Sequence, residues 1–183
     1  MKKLLAAALG LVILAGVAHG AGSGPWGGTG DRTLDTTLQQ ITTQAKADPD
    51  GFIKQLSTRH GIPEQEIRQA QETQGLGPAD LFMASALARA SHRPVLSVAE
   101  EYKKNEGKGW GVMAKEMGIK PGSKEFHELK QGALGSLDHM KANAKARQKH
   151  ERQMKREQEQ KLKQGRDAEM QKGPQGKGHG KAH

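Results

Sequence analysis

Residues 48–63 read DPDGFIKQLSTRHGIP, and this stretch contains the helix start and stop signals that decide the fold class. Asp48 is a favourable helix N-cap, and Pro49 suits the first turn, where its missing N–H is not needed. Gly61 is a typical helix end. The apolar side chains between these signals share one helical face: Phe52, Ile53 and Leu56. The stretch therefore predicts a short amphipathic helix with that face buried.

The same helix start and stop signals recur on the C-terminal side of this stretch. Pro63, Pro78 and Pro94 are each placed to open a helix, and Gly75 and Gly107 are placed to end two of them. The helix after Pro78 is rich in small residues, which let neighbouring helices approach closely, so we place it at the centre. The apolar positions assigned to the three helices are Ile67 and Ala70, then Leu81, Phe82, Ala84, Leu87 and Ala88, then Leu96, Ala99 and Tyr102.

Further helices flank these on both sides. The helix before Asp48, capped by Asp31 or Thr33, has its apolar stripe at Leu34, Leu38, Ile41 and Ala45. A short helix around Val112, Met113 and Met117 ends at Gly118. A long last helix, capped by Ser123, has its stripe at Phe126, Leu129, Ala133, Leu137, Met140 and Ala144. No segment alternates with period two, so the predicted class is all-α: a small bundle of short helices followed by a long protruding C-terminal helix.

Two parts of the bundle resemble each other. HGIP at 60–63 and HRPV at 92–95 each precede a helix that leads to a Gly-rich corner, GLG at 75–77 and GKGWG at 107–111. The His residues are 32 positions apart. Two similar helical hairpins packed face to face would explain the pattern. The identities are few, so true duplication and chance both remain open.

The first 20 residues have the layout of a bacterial secretory signal peptide. Lys2 and Lys3 precede an apolar run from Leu4 to Val17, and small residues precede a cut before Ala21. Val17 stands where a lipoprotein signal would need cysteine. We therefore expect an exported protein, periplasmic or secreted, with no transmembrane segment after signal cleavage. The chain has no cysteine, which excludes disulfides and thiolate chemistry.

The chain divides into five predicted segments. These are the signal peptide at 1–20, a flexible Gly-rich leader at 21–30, a helical domain at 31–145, a charged solvent-exposed helix at 146–171 and a disordered Gly/Lys/His tail at 172–183. Trp26, inside the leader, either packs against the domain or contacts a partner, and we favour packing.

Charge is unevenly distributed along the chain. Residues 21–133 carry 14 basic and 14 acidic side chains, whereas residues 134–183 carry 13 basic and 6 acidic ones, a net charge of +7. The candidate contacts with an anionic partner are Lys145, Arg147, Lys149, Arg152, Lys155, Arg156, Lys161 and Lys163. A solvated spacer is an equally weighted interpretation of the segment beyond residue 145. Its apolar residues are eight positions apart, which forms no coiled-coil seam, and Glu–Lys pairs at i,i+4 support a lone helix: Glu151–Lys155, Glu157–Lys161 and Glu159–Lys163.

Trp110, between Gly109 and Gly111, is the sharpest local feature of the domain. One interpretation is an exposed stacking residue in a Gly-lined pocket for a sugar or a peptide. The other is a core residue around which the glycines let the chain turn tightly. The domain has only five aromatic residues, so its core needs the bulk of this side chain, and we expect Trp110 to be buried.

Residues 102–130 read YKKNEGKGWGVMAKEMGIKPGSKEFHELK. The pattern G-x-G-W-G-x-x-A-K-x-x-G ahead of a basic, Gly- and His-containing tail resembles uncharacterised exported bacterial helical proteins. The resemblance implies a small helical domain and no agreed activity. Residues 112–130 also resemble a helix-turn-helix, but the connection is long and the domain is neutral. An exported protein does not meet the chromosome either, so we expect no nucleic-acid partner.

No catalytic or cofactor signature stands out. His127-Glu128 and His150-Glu151 lack the second His of the zinc-protease motif, and neighbours such as Ser136, Asp138 and His139 cannot form a triad on one helix. We therefore expect a non-enzymatic protein without a cofactor.

The leading hypothesis is a binding or accessory module. Its basic C-terminal helix would contact an anionic envelope polymer, a membrane surface or an acidic protein. One alternative is a periplasmic chaperone-like factor with an apolar groove between the two hairpins. Another is weak buffering of Cu²⁺ or Ni²⁺ by His179 and His183 in the tail.

Overall fold

The computed structural model describes residues 27–105 and 107–171. In these ranges the chain forms α-helices without any strand. The helices are α1 (Arg32–Ala47), α2 (Pro49–His60), α3 (Glu64–Gln74), α4 (Pro78–Ser91), α5 (Val95–Lys104), α6 (Trp110–Glu116) and α7 (Lys124–Gln171). The all-α prediction with a long last helix is therefore confirmed. The predicted signal peptide, Trp26 and the tail at 172–183 lie outside the described residues.

The helices begin and end at the predicted capping residues. Asp31 and Asp48 accept hydrogen bonds from Leu34 N (2.9 Å) and Gly51 N (3.1 Å), so both are N-caps. Gly61 and Gly75 end α2 and α3 in the left-handed region, with φ of 68° and 60°. Helix α7 begins after Ser123, whose Oγ accepts a hydrogen bond from Phe126 N at 3.2 Å.

Helix α4 lies at the centre of the bundle, as its small residues predict. Nine of its 14 residues are buried, and it contacts α1, α2, α3 and α5. Helix α3 packs on α5, where Ile67, Ala70, Val98 and Ala99 are fully buried. The contact between α3 and α5 is therefore part of the packed core.

Some apolar positions differ from the predicted ones. Helix α5 buries Val95, Val98, Ala99 and Tyr102, an i, i+3, i+4, i+7 stripe that leaves Leu96 half-buried at its edge. Val112 of α6 is 40% exposed because that short helix faces the core with Trp110, Met113 and Ala114. Helix α5 also ends three residues before Gly107, where the Asn105 side chain donates to the Glu101 carbonyl at 3.0 Å.

The two similar stretches share the geometry of one corner. Gly61 (φ 68°, ψ 29°) and His92 (φ 55°, ψ 35°) both end a helix in the left-handed region. Pro63 (φ −54°, ψ 136°) and Pro94 (φ −57°, ψ 138°) then open the next helix with nearly the same backbone. Thus Gly61, not His60, matches His92 in the fold.

A close backbone contact surrounds the Trp110 side chain. Trp110 is fully buried, as predicted, and stacks on Tyr102 with ring centroids 3.9 Å apart. Its indole N–H donates to Asp80 Oδ1 at 2.8 Å, which joins α6 to the start of α4. The alternative in which this indole is an exposed stacking platform is therefore wrong.

Residues 27–30 pack against the Gly109–Gly111 turn. A Cβ at position 27 would lie 2.9 Å from the Gly109 Cα, and a Cβ at position 111 would overlap the Thr29 carbonyl oxygen. Thr29 is buried, and Asp35 Oδ1 accepts hydrogen bonds from its N–H and hydroxyl, both at 2.8 Å. Residues 27–30 are thus part of the packed domain, which begins before the predicted boundary at residue 31.

Helix α7 is packed along its first part and exposed along the rest. Its buried apolar residues follow the predicted stripe, except that Ala144 is half-buried: Phe126, Leu129, Ala133, Leu137 and Met140. Polar contacts fasten this part to α1, because Lys130 Nζ lies 2.8 Å from Asp31 Oδ2 and Lys141 Nζ lies 2.9 Å from Gln40 Oε1. Every residue from 145 to 167 is exposed, as the predicted solvent-exposed helix requires.

We expect Trp110→Ala to lower the free energy of unfolding by roughly 3–5 kcal/mol, because it removes a fully buried indole and leaves a cavity. Chemical denaturation followed by circular dichroism measures this loss. A Trp110→Ala protein as stable as the parent would contradict a core role for the indole.

Two glycine substitutions test the backbone contact at Gly111. Gly111→Ala should destabilise the domain by roughly 1–3 kcal/mol, because the new methyl meets the Thr29 backbone, which cannot move aside cheaply. Gly132→Ala is the matched control in α7, where the nearest atom is Arg59 Nη1 at 3.7 Å. There the better helix propensity of Ala should stabilise by about 0.5–1 kcal/mol. Equal effects in the same denaturation assay would show that the close contact is unimportant.

Candidate functional site

The predicted anion-contact residues all lie on the exposed part of α7, but Arg147 differs from the others. Its guanidinium forms an ion pair with Asp48, the N-cap of α2. This ion pair holds α7 against the domain at the point where the helix leaves it. Among the predicted contacts that the structure describes, Arg147 is therefore the one paired with the domain, and we call it the anchor of the helix.

Five of the remaining basic residues share one face of the helix. Lys145, Lys149, Arg152, Arg156 and Lys163 follow the spacing i, i+4, i+7, i+11 and i+18. At 100° per residue these positions fall within an arc of about 60°. We call these five residues the basic stripe.

The basic stripe points away from the domain. The buried residues of α7, from Phe126 to Met140, lie about 130° around the helix from the stripe at the same angular increment. Lys155 and Lys161 are exposed but lie outside the stripe. The eight predicted contacts thus fall into three groups: the five residues of the basic stripe, the anchor Arg147, and two lysines outside the stripe.

The exposed part of α7 offers little apolar surface to a partner. Met154, Leu162 and Met170 are 45%, 68% and 76% exposed, and each lies about 80° around the helix from the one before it. Glu157 accepts a hydrogen bond from Gln153 Nε2 at 3.2 Å, an amide contact on its N-terminal side in place of the predicted ion pair with Lys161. Charge is therefore the main surface feature of this segment.

A separate cleft, which the sequence did not indicate, lies between α2, α4 and α7. His60 at the end of α2 lines it, and its ring meets Phe82 of α4 edge-on with centroids 5.9 Å apart. Both imidazole nitrogens are shielded from solvent and have no hydrogen-bond partner among the described residues. Burial, together with the positive charges of Arg59 and Arg89, lowers the pKa of His60 to about 4.

The structure also shows where the residues considered for a catalytic triad and for a metal site lie. Ser136 is buried whereas Asp138 and His139 are exposed, so these three side chains point in different directions. Within residues 27–105 and 107–171, no group of three His, Asp or Glu side chains is placed to hold a metal ion. His179 and His183 lie outside this range. Among the helices of the same residues, none is both long and apolar enough to cross a membrane.

Comparisons with protein-family models, with curated proteins and with solved structures find no match for this chain. The resemblance of residues 102–130 to exported bacterial proteins therefore stays a prediction.

The burial of His60 predicts a loss of stability in acid. In the unfolded chain the His60 imidazole binds a proton near pH 6.5, whereas in the folded chain it binds one only near pH 4. Lowering the pH through this window therefore favours the unfolded state, by about 2–3 kcal/mol for a shift of this size. Urea denaturation at intervals from pH 7 to about pH 4 measures the loss.

His60→Leu provides the comparison, because it removes the titrating group and keeps an apolar side chain against Phe82. Its free energy of unfolding should fall less steeply than that of the parent over the same window. Parallel pH profiles for the two proteins would show that His60 does not cause the loss.

Proposed function

We propose that this chain is an exported, non-enzymatic binding module whose basic stripe contacts anionic material of the bacterial envelope. One observation carries the proposal: a helix continuous with the domain extends beyond it, exposed from residue 145 to 167, with five basic side chains on one face. The export half rests on the signal-peptide layout of residues 1–20.

The stripe suits an extended anionic surface better than a single acidic group. Lys145 and Lys163 are separated by about 27 Å along the helix axis, at 1.5 Å per residue. A polymer or a lipid layer with regularly spaced negative groups can meet all five charges at once. Each basic residue near an anionic membrane surface contributes about 1 kcal/mol of attraction. The attraction of all five together is therefore large enough to give measurable binding.

The anchoring of α7 strengthens this proposal over a solvated spacer. Arg147–Asp48, Lys130–Asp31 and the buried apolar stripe fix the direction in which the helix leaves the domain. A helix fixed in this way presents its basic stripe at a defined angle. A spacer that only separates two parts needs neither the fixed angle nor the alignment of its basic residues.

The proposal can be tested by binding to anionic vesicles. The protein without residues 1–20 should cosediment with vesicles of phosphatidylglycerol and with lipopolysaccharide, but not with phosphatidylcholine vesicles. Raised salt should release it, because exposed charges are screened beyond a Debye length of about 8 Å at physiological ionic strength. Removing three stripe charges, in the variant Lys149→Gln, Arg152→Gln, Arg156→Gln, should weaken binding by about 100-fold at low salt.

A matched variant separates the stripe from total charge. Lys155→Gln, Lys161→Gln, Arg166→Gln removes the same charge from the same exposed segment, but from positions outside the stripe. We expect this variant to lose clearly less affinity than the stripe variant. Equal losses would contradict recognition by the stripe, and binding that is insensitive to salt and to both variants would overturn the proposed function.

A further inference from the structure

A second cleft lies where residues 27–31 meet α6 and the first turns of α7. It has a volume of about 340 Å³ and shares only Leu129 with the lining of the cleft at His60. A dry cavity of roughly 150 Å³ is enough to hold a benzene ring. The second cleft therefore has room for a larger aromatic side chain.

The surface of this cleft includes apolar side chains that solvent still reaches. Val112 is 40% exposed, Pro121 is exposed, and Phe126 and Leu129 keep 9% and 8% of their area in contact with water. Apart from side chains on the exposed part of α7, Val112 is the only exposed large hydrophobic side chain among the described residues. An apolar group seated here would remove this surface from water.

The chain enters the domain at the edge of the cleft. Gly27 lines the cleft, and its backbone touches the start of α6: a Cβ at position 27 would lie 2.9 Å from Gly109 Cα. Gly109 is the N-cap of α6, three residues before Val112. Because consecutive Cα atoms are about 3.8 Å apart, residue 26 is held beside the first turn of α6.

Residue 26 is a tryptophan, and the sequence offers no other internal candidate for the cleft. Outside the described ranges, the chain after the predicted signal peptide reads AGSGPW at 21–26, Glu106, and KGPQGKGHGKAH at 172–183. Trp26 is the only large hydrophobic side chain in these segments. An indole buries about 150–250 Å² when it packs, and its N–H then needs a hydrogen-bond partner, which solvent supplies at an open cleft.

We propose that the second cleft is the seat of Trp26, with the indole packed against Val112, Pro121 and Phe126. Covalent attachment at Gly27 gives this indole a high effective concentration at the cleft, so an external apolar ligand has to displace it. In this arrangement the packed domain begins at Trp26, and the leader supplies the aromatic group that covers the first turn of α6.

Acrylamide quenching of tryptophan fluorescence tests the placement, in the protein without residues 1–20. The chain has two tryptophans, and Trp110 is fully buried. Subtracting the emission of Trp26→Phe from that of the parent isolates the signal of Trp26. We expect its quenching to be several-fold weaker than that of N-acetyltryptophanamide, the free-indole reference. Quenching equal to that of the reference would overturn the proposal.

Val112→Asp tests the apolar contact. Asp and Val have similar helix propensities and position 112 is partly exposed, so α6 should tolerate the change. A carboxylate packed against the indole would lose water without gaining a partner. Trp26 should therefore leave the cleft, and its quenching should rise to nearly that of the free-indole reference.

Leu162→Asp is the matched control, because it makes the same kind of change at an exposed residue of α7 outside the cleft. It should leave the quenching of Trp26 unchanged. Equal quenching in the two variants would overturn the contact with Val112. Circular dichroism checks that both variants keep the helical content of the parent. If Val112→Asp does not fold, the comparison of the parent with the free-indole reference still decides the question.

A dilution series distinguishes the chain's own tryptophan from that of a second copy. Packing within one chain should give the same quenching of Trp26 at every protein concentration. Protection that appears only in concentrated solution would assign the indole to the cleft of another molecule, and it would overturn the placement within one chain.

Discussion

The burial of the Trp110 indole is the constraint on which the rest of the domain depends. The side chain is stacked on Tyr102 of α5 and hydrogen-bonded to Asp80 of α4, so three helices meet at one ring. The chain can reach that position only because Gly109 has φ of 75° and because Gly27 and Gly111 have no side chain where two backbone segments touch. A segment 82 residues earlier in the sequence thus closes the core over the indole.

The placement of α7 follows from this core. The N–H of Ile119 bonds to the Ala114 carbonyl at 2.8 Å and the Ile119 side chain is buried, so the turn after α6 is fixed to the core. Helix α7 starts five residues later and lies along α1, where Lys130 reaches Asp31. Burial alone would raise the pKa of Asp31, but the hydrogen bonds from Lys130 and Leu34 outweigh it and hold the pKa below its usual value. The ionised Asp31 keeps this contact strong.

Local signals made most of the helices predictable, and long-range contacts account for what was missed. Asp48, Pro49 and Gly61 act on their immediate neighbours, so a single sequence contains enough to place α2. The packing of residues 27–30 was missed because a Gly-rich segment has the same composition whether it is a linker or a close backbone contact. The one sequence feature that could have indicated this packing is the presence of two Gly-rich segments, at 27–30 and 109–111, whose backbones can approach each other closely. The cleft at His60 was missed because Arg59, Arg89 and Glu128 come from three helices, and no local pattern joins them.

The neutrality of the domain matters as much as the charge of the exposed helix. A basic helix beside an acidic domain would be drawn back onto it, and an external anion would have to compete with that contact. Here residues 21–133 carry equal numbers of acidic and basic side chains, so attraction between the domain and the basic stripe is weak beyond a Debye length. Asp31 and Asp48, the acidic groups that α7 does contact, are already paired with Lys130 and Arg147. Those two ion pairs hold the base of the helix and leave the stripe charges available to an external anion.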